Sequence, residues 1–276
     1  LPSSSRQDIR AVRSSPHADP TRGLFETLLV LDGRAVEVDA HVNRLAGSLE
    51  ALFDAELPAE TKHAIAEGAR AVRHGRLRLT AVPTEVGPVK IAVSTAEVDV
   101  AEVFPPAERG IALRSFVAEG GLGAHKWADR RLVEGFAAST DAAEVPLIVD
   151  VGDEVLEASR GNVFCADGTS LRTPPADGRI LPGIARHRVL EAARAADIEV
   201  KEARLGLDDL RAGEVFLAGS VRGVEPVRRL DGLELPRLGS ISERIATALR
   251  RRWLPVPQAG SVAVVASGRR AGRPAR

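Results

Sequence analysis

From residue 21 onward, apolar positions along the chain switch repeatedly between a spacing of two and a spacing of three to four. In GLFETLLVLDGRAVEV, Phe25, Leu28 and Val30 mark an extended run, Asp32-Gly33 a turn, and Val36 and Val38 the return. Asp-Gly between two such runs predicts a hairpin. Asp39 is expected to cap a helix that carries Val42, Leu45, Leu49 and Leu52 on one face. A second helix is expected over residues 59–74, followed by a strand pair at RLRLTAV and PVKIAVSTAEV and a third strand at IALRSFV. Together these predict a small α+β unit over residues 21–117.

Residues 118–124, AEGGLG and the alanine after it, form a Gly-rich connection between domains. Past it the pattern predicts a helix over 127–140, strands at VPLIVDV and EVLEASRGNVFCAD, a helix opening after Pro182-Gly183, and a strand at EVFLAGSV. A last helix, SISERIATALRRRW, carries Ile241, Ile245, Leu249 and Trp253. These elements predict a second domain over residues 125–254. Residues 1–20 show no period and read as a flexible arm, and the Pro-, Gly- and Arg-rich residues 255–276 as a disordered tail. No internal repeat is evident.

Composition narrows the options. A chain of 276 residues holds either one large α/β unit or two smaller domains sharing an interface. Its 38 basic and 38 acidic residues cancel, which argues against a protein that works by neutralising nucleic-acid phosphates. No apolar run reaches the roughly 20 residues of a membrane span, and the N-terminus lacks a hydrophobic signal region, so a cytoplasmic protein is expected. The chain opens on Leu rather than Met, as expected of one processed or excised from a longer protein. Cys165 stands alone and so offers neither a disulfide nor a zinc cage, only core packing. Tyrosine is absent, which removes phenolic acid-base chemistry, and a side-chain amine can come only from Lys62, Lys90, Lys126 or Lys201.

Four places carry candidate chemistry. Pro182-Gly183, directly before an amphipathic helix, leaves that helix's first amide hydrogens free to meet an anion, although a loop that merely starts a helix has the same look. Gly219-Ser220 ends a strand and offers an amide and a hydroxyl. Glu157 closes a strand-like run before small polar residues, where a solvated hairpin charge is the plain alternative. Lys126 lies between the Gly-rich connection and a helix, where a surface lysine is the plain alternative. Taken together, an amine, a carboxylate and a phosphate cradle are what a pyridoxal phosphate enzyme requires.

At the level of motifs the chain resembles the fold type IV pyridoxal phosphate enzymes, which include branched-chain and D-amino acid aminotransferases and aminodeoxychorismate lyases. The resemblance lies in GLFETLLVLDG with HVNRL, then HKWADRRL, then EVLEASRGNVF with TPPADGRILPGIAR, then EVFLAGSVRGVEPV, over roughly residues 21–235. HKWADRRL and AGSVRGVEPV look closest to the lyases. The resemblance implies a small N-terminal α/β domain, a larger pseudo-barrel C-terminal domain, a homodimer and pyridoxal 5'-phosphate as cofactor. It implies that Lys126 bonds the cofactor covalently and moves protons, that Glu157 pairs with the pyridine nitrogen, and that Arg44 binds the phosphate. Gly183, Ile184, Ala185, Gly219 and Ser220 would complete the phosphate cradle, and Asn162 would support the strand beside Glu157. For a lyase the products would be 4-aminobenzoate and pyruvate, on the route to folate.

The chain also departs from the family. Ala185 stands where a threonine is common, and the usual segment ahead of the FET motif is not recognisable, as expected of a domain detached from a fusion. The arginine-rich stretch that often clamps a substrate carboxylate is not evident, which leaves Arg78, Lys90, Arg160 and Arg222 as clamp candidates that also read as surface charge. Arg131 is the candidate for the contact to the cofactor's ring oxygen. An aminotransferase needing a 2-oxo acid, or a catalytically silent domain assembled with an aminodeoxychorismate synthase component, would share part of this pattern.

Overall fold

A computed structural model describes residues 17–84 and 87–254. The first sheet is antiparallel, built from β1 (Leu24–Leu31), β2 (Arg34–Ala35), β3 (His74–Val82) and β4 (Lys90–Glu97) in the order β2-β1-β3-β4. The hairpin expected at Asp32-Gly33 is present, with both residues at positive φ (47° and 71°) as a two-residue turn matched to strand twist demands. Alternation divides β1. Leu24, Leu28 and Val30 join Leu77 and Leu79 of β3 in a core covered by α1 (Val38–Phe53) and α2 (Thr61–Arg70), while Phe25 and Thr27 look the other way.

Helix α1 starts differently from expectation. Its N-cap is Glu37, held at φ 56°, and Asp39 lies in the first turn without capping it. The Glu37 carboxylate is committed elsewhere: it accepts from Arg188 at 2.6 Å, Arg252 at 2.8 Å and the Trp253 indole at 3.2 Å. Those cations, with the other bonds, outweigh burial and hold the Glu37 carboxyl down to about 2. One side chain thereby ties the start of α1 to the two C-terminal helices over Ile184–Ala195 and Ser240–Trp253.

The second sheet contains β5 (Ile111–Val117), β6 (Glu144–Val149), β7 (Glu154–Ala158), β8 (Gly161–Ala166), β9 (Ser170–Thr173), β10 (Glu199–Glu202), β11 (Leu205–Gly206), β12 (Glu214–Gly219), β13 (Gly223–Leu230) and β14 (Leu233–Glu234). Pairing runs β8-β12-β13-β5-β6-β7, and β7 pairs back onto β8, so these strands close a barrel. The fold is thus α+β, with a small sheet domain and a larger barrel-like one. Inside the ring, residues two apart point inward: Val145, Leu147 and Val149; Val163 and Cys165; Val215 and Leu217. Cys165 is core, as expected from the sequence. On the opposite face, Phe164 and Phe216 stack and pack under α4 (Ile184–Ala195) and α6 (Ser240–Trp253). Helix α3 (Arg131–Ala138) precedes β6, and α5 (Leu207–Ala212) precedes β12.

Three expected boundaries shift. The strand IALRSFV, expected to complete the N-terminal unit, is β5, and it bonds β6 and β13 in parallel within the barrel. The helix expected from residue 127 begins only at Arg131, because Lys126 to Ala128 run extended along the edge of β1. Phe25 N donates to Lys126 O at 2.9 Å, Ala128 N donates to Gly23 O at 2.9 Å, and Leu24 bridges Trp127. The second helix is shorter than the expected 59–74 for a similar reason, since His74 is already committed to β3. The expected arm lies outside the described residues for residues 1–16, as does the tail, residues 255–276; of the arm, residues 20–22 form a single 3-10 turn.

Candidate active site

The seam between the two sheets encloses a cavity of about 640 Å³, and the residues that the family resemblance assigns to the covalent bond, the ring nitrogen and the phosphate cradle line it: Arg44, Lys126, Glu157, Asn162, Gly183, Ile184, Ala185, Gly219 and Ser220. They arrive from five places along the chain. Register explains the most ordered part. A two-residue turn joins β7 to β8, which sets Glu157 directly opposite Asn162. Both then grip the backbone of one residue: Leu181 N donates to Glu157 Oε1 at 3.2 Å, and Asn162 Nδ2 donates to Leu181 O at 2.9 Å. A break in the β6–β7 register, between the pairs Ile148–Glu157 and Val149–Val155, gives β7 an extra residue. This bulge lets Val155 pack inside the barrel while Glu157 faces the cavity.

Leu181 leads to Pro182 and Gly183, the N-cap of α4. No side chain caps this helix, so the first-turn amides, Ile184 and Ala185 among them, have no side-chain acceptor. A Cβ on Gly183 would lie 2.1 Å from Asn162 Oδ1, so only glycine brings this helix end so close to the β7–β8 hairpin. A helix end opened in this way to a cavity suits a phosphate.

Lys126 projects from the extended segment on the β1 edge, its Nζ 4.8 Å from the centre of the Phe25 ring. Burial first, and the Arg44 guanidinium second, push its amine down to about 8, against the pull of Glu26. Glu157 moves the opposite way. Burial pushes its carboxyl up to about 7, opposed by the Leu181 amide and by Lys126, Arg130 and Arg44. An amine and a carboxyl that sit near neutrality in one cavity mark a site built for proton chemistry.

A buried group missed by the sequence reading lies behind Arg44. Glu26, on the helix-covered face of β1, accepts from Arg44 Nε at 2.8 Å and Nη2 at 2.6 Å, and its Oε2 lies 2.7 Å from His41 Nδ1. His41 and Arg44 are three apart on α1 and so share a face, a spacing that HVNRL shows in the sequence. Despite burial, its two partners hold the Glu26 carboxyl down to about 2, while burial lowers the His41 imidazole and leaves it neutral at pH 7. Arg44 Nη1 donates to Pro182 O at 3.1 Å, so the guanidinium braces the approach to α4.

Glu26→Ala is expected to lower the unfolding free energy by about 3 kcal/mol, because it leaves a mostly buried arginine without its carboxylate. The folded carboxyl is depressed below its usual 4.5, so its contribution is complete above that value and is lost as pH falls toward about 2. Urea titrations of wild type and variant at pH 7 and pH 3 check both points: the gap between them should narrow at the lower pH.

Of the clamp candidates, Arg78, Arg160 and Arg222 line the cavity, and Lys90 does not. Arg131 is corrected: its guanidinium is exposed and pairs with Asp129 at 2.6 Å, while its neighbour Arg130 reaches the cavity. Because the helix starts four residues later than expected, the parity of this stretch is that of an extended segment.

The sequence model of the amino-transferase class IV family matches residues 23–230. The chain belongs to the class IV aminotransferase family. Among curated proteins, this class IV chain is 32% identical over 120 residues to the branched-chain-amino-acid aminotransferase of Escherichia coli, covering 42% of this chain and 39% of that protein. It is 37% identical over 89 residues to the D-alanine aminotransferase of Listeria monocytogenes, covering 32% of this chain and 31% of that one. The chain thus spans well under half the length of these relatives. Among solved structures, a hypothetical aminotransferase from Mycobacterium tuberculosis, apo form, is 25% identical with a TM-score of 0.72, covering 90% of this chain and 92% of the other. The 4-amino-4-deoxychorismate lyase of Pseudomonas aeruginosa, 24% identical, shares the fold with a TM-score of 0.71 over 83% of this chain and 90% of its own.

Proposed function

We propose that this class IV protein is a pyridoxal 5'-phosphate lyase that converts 4-amino-4-deoxychorismate into 4-aminobenzoate and pyruvate. The observation that carries the cofactor reading is the convergence of the Lys126 amine, the Glu157 carboxyl and the uncapped start of α4 on one cavity. The residues fit the group. Lys126 would hold it covalently, Glu157 would meet its ring nitrogen, and Arg44, Ile184, Ala185, Gly219 and Ser220 would surround its phosphate, with Ala185 supplying no hydroxyl. When bound, the cofactor withdraws electrons from a carbon attached to the substrate nitrogen.

The chain's own groups do the rest. With its amine near neutrality, Lys126 can take the proton from the ring carbon that bears the substrate nitrogen and can hold it. Loss of that proton, with cleavage of the neighbouring carbon–oxygen bond, expels enolpyruvate and leaves an aromatic ring. Return of a proton to the enolpyruvate methylene carbon gives pyruvate, so protons balance and no second amino acceptor is consumed. The buried Glu157 carboxyl, raised by desolvation, can share its proton with a heteroaromatic nitrogen, and the bracing peptide at Leu181 fixes where that happens.

The lyase reading is supported by the HKWADRRL and AGSVRGVEPV motifs. A second reading, an aminotransferase on branched-chain or D-amino acids, is favoured by the names of the two curated relatives. We also propose, on family resemblance, a cytoplasmic homodimer that works with an aminodeoxychorismate synthase component; no helix among the described residues is long and apolar enough to cross a membrane. The deciding experiment supplies 4-amino-4-deoxychorismate to the cofactor-loaded protein without any 2-oxo acid. Equal, multiple-turnover formation of 4-aminobenzoate and pyruvate is expected; turnover only when a 2-oxo acid and an amino acid are present would select the aminotransferase. A visible cofactor band with neither activity would point to the silent module.

A further inference from the structure

The cavity draws on two helices from different domains. Arg44 comes from α1 of the small domain, and the uncapped first turn comes from α4 of the barrel domain. An anion held by both is bound only as well as the two helices are aligned, because charge-assisted hydrogen bonds weaken steeply with distance and angle. Two polar ties join them. Arg44 Nη1 donates to Pro182 O at 3.1 Å, at the cavity. Away from the cavity, Arg188 donates to Glu37 from Nε at 2.9 Å and from Nη2 at 2.6 Å, a fork on both carboxylate oxygens.

The α1 ends of these ties, Glu37 and Arg44, are nearly two turns apart on one side of the helix, or about 10 Å along its axis. As the α1 positions rise from 37 to 44 their partners fall from 188 to 182, so the two helices run antiparallel. A single tie is a pivot, whereas two set an angle. Val36 also packs against the cluster that contains Val189 and Leu190, but hydrophobic attraction carries no preferred direction. The backbone of Glu37 points to its side chain as well. At φ 56° it occupies a conformation that glycine takes freely and that strains other residues. The bonds from Arg188, with those from Arg252 and Trp253, offset that strain. Of the two arginines, Arg188 is 16% exposed and Arg252 51%, so the tie to α4 is the less screened by water.

We propose that Glu37 is a positioning residue for phosphate binding: through Arg188 it fixes the angle of α4 against α1, so that the first amides of α4 and the Arg44 guanidinium converge on one anion. That the phosphate belongs to the cofactor rests on the proposed function; the two-point alignment does not. A field effect would have the opposite sign. Glu37 is negative, so neutralising it would strengthen anion binding by charge alone, whereas lost alignment weakens it.

Affinities are measured on cofactor-free wild type, Glu37→Gln, Glu37→Gly and Arg252→Gln for three probes: pyridoxal phosphate by its visible band, pyridoxal, which lacks the phosphate, and inorganic phosphate by calorimetry. Both Glu37 variants are expected to bind pyridoxal phosphate and inorganic phosphate about tenfold more weakly, the equivalent of one charge-assisted bond, with pyridoxal affinity unchanged. Arg252→Gln should leave all three affinities as in wild type. Glycine relieves the backbone at φ 56°, so Glu37→Gly supplies a folded variant even where thermal melts show Glu37→Gln to be unstable. Unchanged or tighter phosphate binding in the Glu37 variants would overturn the proposal. An equal loss of pyridoxal affinity would overturn it too, by marking general loosening, and an equal effect in Arg252→Gln would do so by moving the role to α6. Absence of a band in wild type would refute the cofactor reading while inorganic phosphate still decided the alignment, and wild type that bound neither would overturn both.

Discussion

Lys126→Ala is expected to abolish the covalent attachment of pyridoxal phosphate and to reduce turnover by at least about 10³-fold, since one substitution removes both the bonding amine and the group placed to move the substrate proton. The fold should survive. Lys126 is held through its backbone, by the bond from Phe25 N to Lys126 O and the neighbouring bond from Ala128 N to Gly23 O, and alanine keeps both. Its charged amine, moreover, is disfavoured where it sits, so removing it costs no ion pair. Absorbance of the protein-bound cofactor after gel filtration, together with a thermal melt, separates loss of the bond from loss of the fold; wild-type absorbance in the variant would refute the assignment.

The same lysine carries a pH signature that does not depend on turnover. A nucleophilic amine reacts in its neutral form, and burial with the Arg44 charge brings the Lys126 amine down to about 8. In the cofactor-free protein, its rate of labelling by a small acylating reagent should therefore rise with pH and level off just above 8. The exposed Lys62, Lys90 and Lys201 provide internal references in the same peptide map. A Lys126 profile that parallels theirs would show an unperturbed amine.

Much of this site was legible along the chain because its parts are local. Gly183 directly precedes the apolar period of α4, and Glu157 closes a strand before small polar residues, although the run EVLEASRGNVFCAD, expected as one strand, folds into β7 and β8 about a turn at Ser159 and Arg160. The final helix runs over Ser240–Trp253, the residues its period predicted.

What could not be read is set by contacts between distant segments. Glu26 meets His41 and Arg44 only because α1 folds back over β1, and Arg130 rather than Arg131 reaches the cavity only because the β1 edge pulls residues 126–128 into extended form. β13 was hidden by Pro226, which usually argues against a central strand. Here Pro226 faces Phe216 of β12, and the register with β5 shifts between Val227 and Arg229, so the sheet accommodates the missing N–H beside an irregularity. β5 itself reads like any apolar strand; only pairing shows which sheet it enters.

Glu157→Gln tests the other pole of the site. Glutamine keeps the size of the side chain and an acceptor for the Leu181 amide, so the β7–β8 hairpin and the bracing peptide should stay in place. It removes the proton-sharing carboxyl, which burial has pushed up to about 7 and which would otherwise become a full negative charge next to a protonated ring nitrogen. In a cavity with little water, a charge aimed at the electron-withdrawing group is worth far more than in solvent, and its loss is expected to lower kcat by about 10²–10³-fold. KM should change little, because Glu157 is assigned to the cofactor's ring nitrogen and not to the substrate. The cofactor band should persist, since Lys126 is intact, but its position and its pH dependence should shift with loss of the neighbouring carboxylate. A Glu157→Gln protein with wild-type kcat and an unshifted spectrum would mean that this carboxyl serves only the peptide at Leu181, and the structural brace would then be its whole role.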